Sequence, residues 1–92
     1  MKRYIKTSAS NIYKFQVGHL YSGAMLYGGY VNYRIESRTE DTVTATEYHV
    51  SEDTGDIVYD GEHTFPIQII DGSEAFKIWE YRGHEGYLYA HR

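Results

Sequence analysis

Apolar and polar positions alternate along much of the chain, which is the period-two pattern of β-strands with one buried face. The clearest alternation covers residues 30–37, where Val31, Tyr33 and Ile35 lie between more polar neighbours. Similar segments follow at intervals, and short polar turns rich in glycine and aspartate separate them. This spacing predicts a mainly β fold: an antiparallel meander, small barrel or roll of five or six strands.

The segment 42–50 is rich in β-branched residues, but its apolar positions change phase after Ala45. One extra residue in a strand moves all the following side chains to the opposite face. We therefore predict a β-bulge near Thr46 or Glu47. The dipeptide at 60–61, an aspartate followed by a glycine, predicts either a tight turn or a second bulge.

Four aromatic residues near the C-terminal end are expected to pair across a hairpin. They are Trp79, Tyr81, Tyr87 and Tyr89. The alternation places the first two on the strand face opposite to Phe76 and Ile78. Such pairs build a core or one face of a sheet. If that face is uncovered, we expect it to serve as a protein interface or as the seam of a homodimer.

The first 29 residues have a weaker pattern. Ser8 or Ser10 is a candidate N-cap for a short N-terminal helix that buries Ile12 and Phe15. Residues 17–27 fit a strand that folds back at the glycine pair after it, or a helical turn weakened by an internal glycine. We favour the strand.

With 92 residues and no cysteine, the chain is predicted to form a single domain, residues 1–92, without disulfides or thiolate metal sites. The 11 tyrosines suit a thin core, because a tyrosine ring is buried like a hydrophobe while its hydroxyl reaches water. The basic start is not followed by an apolar stretch of signal-peptide length, so we expect a cytoplasmic location. No cofactor is expected.

Charge is distributed unevenly along the chain. Residues 1–38 contain six Lys or Arg and one acid, whereas residues 39–92 contain three Lys or Arg and twelve acids. The stretch 40–62 contains eight acids and no Lys or Arg, and we predict that it presents an acidic face to a protein with a basic surface. The residues of this face are Glu47, Glu52, Asp53, Asp56, Asp60 and Glu62. The same stretch would also suit a solvated hairpin kept soluble by its charge.

A second interpretation is a small β-domain that binds single-stranded nucleic acid. Aromatic platforms interleaved with cations hold single strands on such domains. The residues of this alternative face are Tyr30, Asn32, Arg34 and Arg38. A sequence pI near 5.6 argues against it, because such binders are usually basic.

Catalytic and metal-binding chemistry receives less support. The five histidines include no pair at the i, i+2 or i, i+4 spacing that places two imidazoles on one face. A calcium site at Asp53, Asp56 and Asp60 does not follow the order of a helix–loop–helix calcium loop, so we predict no metal site. An enzyme with a shallow carboxylate site is a further alternative. A chain this short, however, has little room for a cleft that excludes water.

Three short stretches carry a resemblance to other proteins. They are Val17-Gly18-His19-Leu20-Tyr21, the segment from Tyr33 to Thr44, and the basic start Met1-Lys2-Arg3-Tyr4-Ile5-Lys6. Together they resemble a loose group of uncharacterised, short β-rich proteins of bacteria, phages and other mobile elements. The group has no established catalytic residues. The resemblance implies an accessory or anti-defence protein, and some such proteins inhibit nucleases with acids that imitate phosphates.

The leading prediction is therefore a non-catalytic protein-interaction domain. In its narrowest form it is a phage or mobile-element inhibitor of nucleic-acid-handling machinery that uses the acidic face.

Overall fold

The computed structural model describes residues 12–91, and over that range every regular element is a β-strand. The strands are β1 (Leu20–Ala24), β2 (Tyr30–Arg38), β3 (Thr42–Val50), β4 (Ile57–Pro66), β5 (Gln68–Ile70), β6 (Ser73–Tyr81) and β7 (His84–Tyr89). The mainly β class is confirmed. Within these residues there is no helix that is long and apolar enough to cross a membrane.

Residues 12–91 form seven strands, which exceeds the predicted five or six. One reason lies at Ile67, whose N–H donates to the Asp41 carbonyl at 2.7 Å instead of continuing a ladder. This contact separates β5 from β4, directly after Pro66, which has no N–H to donate. A second reason is β1, which comes from the weakly patterned first 29 residues.

The strands form two antiparallel sheets. One has the order β1-β2-β3-β4 and the other the order β5-β6-β7, so each sheet is a meander of sequential strands. Neither sheet closes into a barrel within the described residues. The edge strands β1 and β7 nevertheless approach closely, because a Cβ added at Gly23 would lie 3.2 Å from the Leu88 Cβ.

The core lies between the inner faces of the two sheets. Its buried members are Phe15, Tyr33, Ile35, Val43, Ala45, Phe76 and Leu88. Phe65 and Phe76 stack across the sheets with ring centroids 4.3 Å apart, so aromatic packing joins the two layers. Phe15 also lies 5.2 Å from Phe76, which ties the segment before β1 to the same core.

Three register shifts set which side chains face that core. The β2–β3 ladder skips Glu36, the β3–β4 ladder skips Asp60, and the β6–β7 ladder skips Ile78. Each skipped residue is a bulge that reverses the inward and outward phase of the rest of its strand. The first bulge lies where segment 18–19 joins the sheet, since Ile35 exchanges backbone hydrogen bonds with Gly18 and His19 at 2.7 and 3.1 Å.

The predicted bulge near Thr46 or Glu47 is located correctly along the sheet, but it is on the other strand. The register shift falls between Glu47 and Tyr48, and the extra residue is Asp60 of β4. The second bulge predicted at 60–61 is therefore this same bulge. Strand β3 alternates without interruption, so Tyr48 faces outward rather than changing sides.

The predicted N-terminal helix is not present in the part of it that the structure describes. Its candidate caps, Ser8 and Ser10, lie outside the described residues. Tyr13 instead forms a parallel bridge with Ser73, in which the Tyr13 N–H donates to Gly72 and the Glu74 N–H donates to Tyr13. Backbone groups bonded to a neighbouring strand in this way cannot also form helical bonds.

Candidate functional site

The β3–β4 hairpin extends beyond the point at which β2 stops pairing with β3. The β2–β3 ladder ends at the pair Asn32–Tyr48, whereas β3 and β4 remain paired as far as Val50 and Ile57. The connecting loop, residues 51–56, is closed by the Ser51 N–H bonded to the Asp56 carbonyl at 2.8 Å. We call residues 49–60 the distal hairpin.

Four of the six predicted acidic-face residues belong to the distal hairpin. Glu52, Asp53 and Asp56 are exposed in the loop, and Asp60 forms the bulge. The Asp60 Oδ2 lies 2.8 Å from the His49 Nδ1, and both side chains remain in contact with solvent. Three free carboxylates therefore project from the tip, and a fourth is held at the base by an imidazole.

The other two acids do not join this group. Glu47 lies opposite Gly61 and faces inward with Ala45, while Glu62 lies opposite Thr46 on the outer face. The prediction that all six acids form one face is therefore wrong. Because β3 alternates regularly here, neighbouring positions on the paired strands point to opposite sides of the sheet.

The inward position of Glu47 has an electrostatic consequence. It lies opposite Tyr33 in the β2–β3 ladder. Burial, and secondly the negative charge of Glu47, raise the pKa of the Tyr33 phenol above its ordinary value.

The distal hairpin also exposes apolar side chains. Val50 is 55%, Ile57 46%, Val58 40% and Tyr59 51% exposed. Isolated apolar residues on a protein surface are ordinary, but Val50, Ile57 and Tyr59 are neighbours on the outer face of two paired strands, while Val58 lies on the opposite face. The same element thus combines an apolar patch with an acidic tip, which sequence patterning alone had not connected.

The alternative nucleic-acid face is assembled only in part. Tyr30, Asn32 and Arg34 alternate on the outer face of β2, but the bulge at Glu36 turns Arg38 to the inner face. The prediction that Arg38 lines this face is therefore wrong. Tyr30, Asn32 and Arg34 are left as its predicted members.

Arg38 instead forms an ion pair with Glu74, in which the Glu74 carboxylate is buried and the Arg38 guanidinium is partly buried. Its Nη1 and Nη2 atoms donate to the Glu74 Oε1 and Oε2 at 2.7 and 2.8 Å, and Nη1 also donates to the Phe15 carbonyl at 2.9 Å. The Phe15 N–H donates to the Glu74 Oε1 at 2.7 Å. Hydrogen bonding to Glu74 raises the pKa of Arg38 above its ordinary value. This cluster ties the N-terminal segment, β2 and β6 together, and sequence reasoning missed it.

The predicted aromatic quartet is not formed. The bulge at Ile78 turns Trp79 inward, where its indole lies over Gly86 and its Nε1 donates to the Ala24 carbonyl at 3.2 Å. Tyr87 lies on the outer face, where its hydroxyl donates to the Glu85 Oε1 at 2.8 Å. The expectation that these two aromatic residues share a face is therefore wrong.

A cleft of about 260 Å³ lies between β1 and β7. Its lining consists of Ser22, Gly23, Ala24, Tyr87 and Tyr89. No carboxylate or imidazole belongs to this lining, so the alternative of a shallow carboxylate enzyme gains no support from the cleft.

The candidate calcium ligands are not brought together. Over residues 12–91, no group of three or more His, Cys, Asp or Glu side chains is placed to hold a metal ion. His63 contacts aromatic rings instead, with its centroid 6.4 Å from Tyr33 and 6.0 Å from Phe65.

The fold and the distal hairpin define an all-β chain of two stacked meanders with one projecting acidic and apolar element. Comparisons with models of protein families, with curated proteins and with solved structures found no match. The resemblance to proteins of phages and mobile elements therefore stays a prediction.

Proposed function

We propose that this protein is a non-catalytic recognition domain that binds another protein through the distal hairpin. The observation that supports this proposal is the coincidence on one projecting element of four exposed apolar side chains and an acidic tip. Protein interfaces typically combine an apolar centre with a polar rim, and this element has both components.

The charge of the hairpin favours a basic partner. Between Arg38 and Lys77 the chain contains no Lys or Arg, so the carboxylates of the hairpin have no lysine or arginine among them. Clustered charges of one sign accelerate encounters with a surface of the opposite sign and disfavour contact with like-charged surfaces. A protein that grips nucleic acid offers such a basic surface, and inhibition of that class of protein is the narrower form of the proposal.

The test compares two charge reversals of equal size. In the hairpin variant, Asp53 and Asp56 become Lys, and in the control variant Glu40 and Asp41 of the β2–β3 turn become Lys. All four side chains are exposed in turns, so both variants are expected to fold. The immobilised protein is used to capture partners from a lysate of its source cells, with and without an added oligonucleotide.

We expect the hairpin variant to lose the partner and the control variant to retain it. Release of the partner by the oligonucleotide would support the narrower form, because both ligands would then compete for one basic surface. Retention by the hairpin variant would contradict the proposal. Direct binding of the oligonucleotide to this protein, weakened by Arg34→Ala, would instead favour the nucleic-acid alternative.

A further inference from the structure

Strand β4 has one free edge. Among the described residues it is the outermost strand of its sheet, and nine of its ten residues pair with β3 while Asp60 is the bulge. Outside that ladder, no backbone–backbone hydrogen bond of the described residues involves positions 57–66. Alternate N–H and C=O groups of an edge strand point away from the sheet, so this edge can accept a further strand.

The side chains along this edge follow a definite order. Ile57, Tyr59 and Glu62 share the outer face, because the bulge makes Asp60 and Gly61 count as one step. Tyr59 is 51% exposed, and no hydrogen bond or ion pair occupies the Glu62 carboxylate within the described residues. From Ile57 to Glu62 the edge therefore presents two apolar positions followed by an acidic one. Successive positions are separated by one strand repeat of roughly 7 Å.

A second copy of this chain is a poor occupant of the edge. Two β4 strands in antiparallel contact would bring Asp60 and Glu62 close to the same carboxylates of the other copy. Like charges directly opposite each other on paired strands are destabilising. Charged and bulged edges are also a common protection against self-association.

We infer that β4 accepts an extended, cationic segment of the partner protein as an additional strand. This inference rests on the proposed function and deepens it by naming what the partner contributes. The segment carries a Lys or Arg beside Glu62 and apolar side chains beside Tyr59 and Ile57. Since neighbouring side chains on paired strands lie about 5 Å apart, each of these contacts is direct.

This arrangement specifies a pattern in the partner. An antiparallel segment reads, from its N-terminus, basic–x–apolar–x–apolar, and a parallel segment reads in the reverse order. Main-chain hydrogen bonds would supply affinity, and the alternate side chains would supply specificity.

The experiment uses the full 92-residue protein labelled with ¹⁵N. The probe is a synthetic peptide in which lysine, valine and valine occupy alternate positions and threonine fills the positions between. We measure amide hydrogen exchange along β4, and binding by titration. We expect the peptide to protect the β4 amides that do not bond to β3, and only those.

Two controls separate strand addition from simple attraction between charges. The same peptide with alternate amides N-methylated has equal charge but cannot form the ladder, so it should bind at least about tenfold more weakly. On the protein, Glu62→Lys should weaken binding about tenfold, whereas the equal charge change Glu40→Lys should leave it within about twofold.

The inference is overturned if the β4 amides stay unprotected, if the N-methylated peptide binds equally well, or if the two charge variants behave alike. The inference would also be overturned if the β4 amides were protected from exchange without peptide and the protein formed a dimer as its concentration rose. A second copy of this chain would then be the occupant of the edge. If Asp53→Lys with Asp56→Lys abolishes capture of the partner while β4 is never protected, the proposed function stands and this inference alone fails.

Discussion

Replacement of Glu74 by glutamine should severely destabilise the protein. The Glu74 side chain is 3% exposed and accepts hydrogen bonds from both terminal nitrogens of Arg38 and from the Phe15 N–H. Glutamine keeps the shape but has one acceptor oxygen and one NH₂ group. If the oxygen serves Phe15, the NH₂ group faces an arginine nitrogen that is also a donor, and the guanidinium loses its counter-charge.

The magnitude follows from the burial of the pair. Breaking a buried ion pair by removing one partner costs about 3–5 kcal/mol, because the other charge remains uncompensated. The Arg38 side chain is 19% exposed, so water reaches part of it and we expect the lower end, about 3 kcal/mol. For 92 residues the entropy of unfolding is about 0.19 kcal/mol/K, so the melting temperature should fall by about 15 °C.

The same strand offers a matched control. Glu80 of β6 accepts a hydrogen bond from the Lys77 Nζ at 2.8 Å, a distance like those in the buried pair, but both side chains are exposed. Exposed ion pairs contribute little, so Glu80→Gln should leave the melting temperature essentially unchanged. Unfolding in urea and by heat can be followed through Trp79, the single tryptophan.

A double variant provides an independent check. Arg38→Met combined with Glu74→Leu removes both charges, so it should be more stable than the sum of the two single changes implies. Two results would show that the Arg38–Glu74 pair does not stabilise the fold as argued. One is that Glu74→Gln and Glu80→Gln unfold at the same urea concentration. The other is that the losses of unfolding free energy in Arg38→Met and in Glu74→Leu simply add in the double variant.

Two further predictions concern packing and pH. In Gly86→Ala the new Cβ would clash with the Trp79 indole, so the indole must move. We expect a loss of about 1–3 kcal/mol in stability and a red-shifted tryptophan emission, and unchanged emission would contradict this packing. Because the folded state raises the pKa of Tyr33, the unfolded chain ionises first as pH rises above about 10, and stability falls from there upward. The fall in unfolding free energy between about pH 8 and about pH 11, measured by urea titration, should be smaller in Tyr33→Phe than in the original protein. An equal fall in both proteins would be inconsistent with the raised pKa of Tyr33.

The parts of the fold that sequence predicted are those that depend on local patterns. The alternation at Val31, Tyr33 and Ile35 correctly gave a strand, and Tyr33 and Ile35 are buried. The favoured strand within 17–27 contains β1. These outcomes follow because period-two burial and turn chemistry act over a few residues.

The failures come from bulges and from distant partners. In β2 the polar positions Arg34, Glu36 and Arg38 look like one face, and nothing local shows that Glu36 is skipped. In β6 the adjacent apolar pair Ile78 and Trp79 is a faint signal, because two consecutive apolar residues leave the phase ambiguous. The partner of Arg38 is 36 residues away in sequence, so no spacing rule could have identified the ion pair.

The bulges also explain why the distal hairpin differs from the rest of the sheet. The bulges in β2 and β6 turn Arg38 and Trp79 to the inner face, where both are partly buried. The bulge in β4 is at Asp60, beside the pair Asn32–Tyr48 that ends the β2 ladder. Beyond that point no described element covers Val50 or Ile57, and their exposed apolar surface brings no folding free energy. Such a surface also promotes self-association, which the neighbouring carboxylates oppose through their charge. These two features, exposed apolar surface and charge that opposes self-association, support the proposal that the distal hairpin binds a different, basic protein.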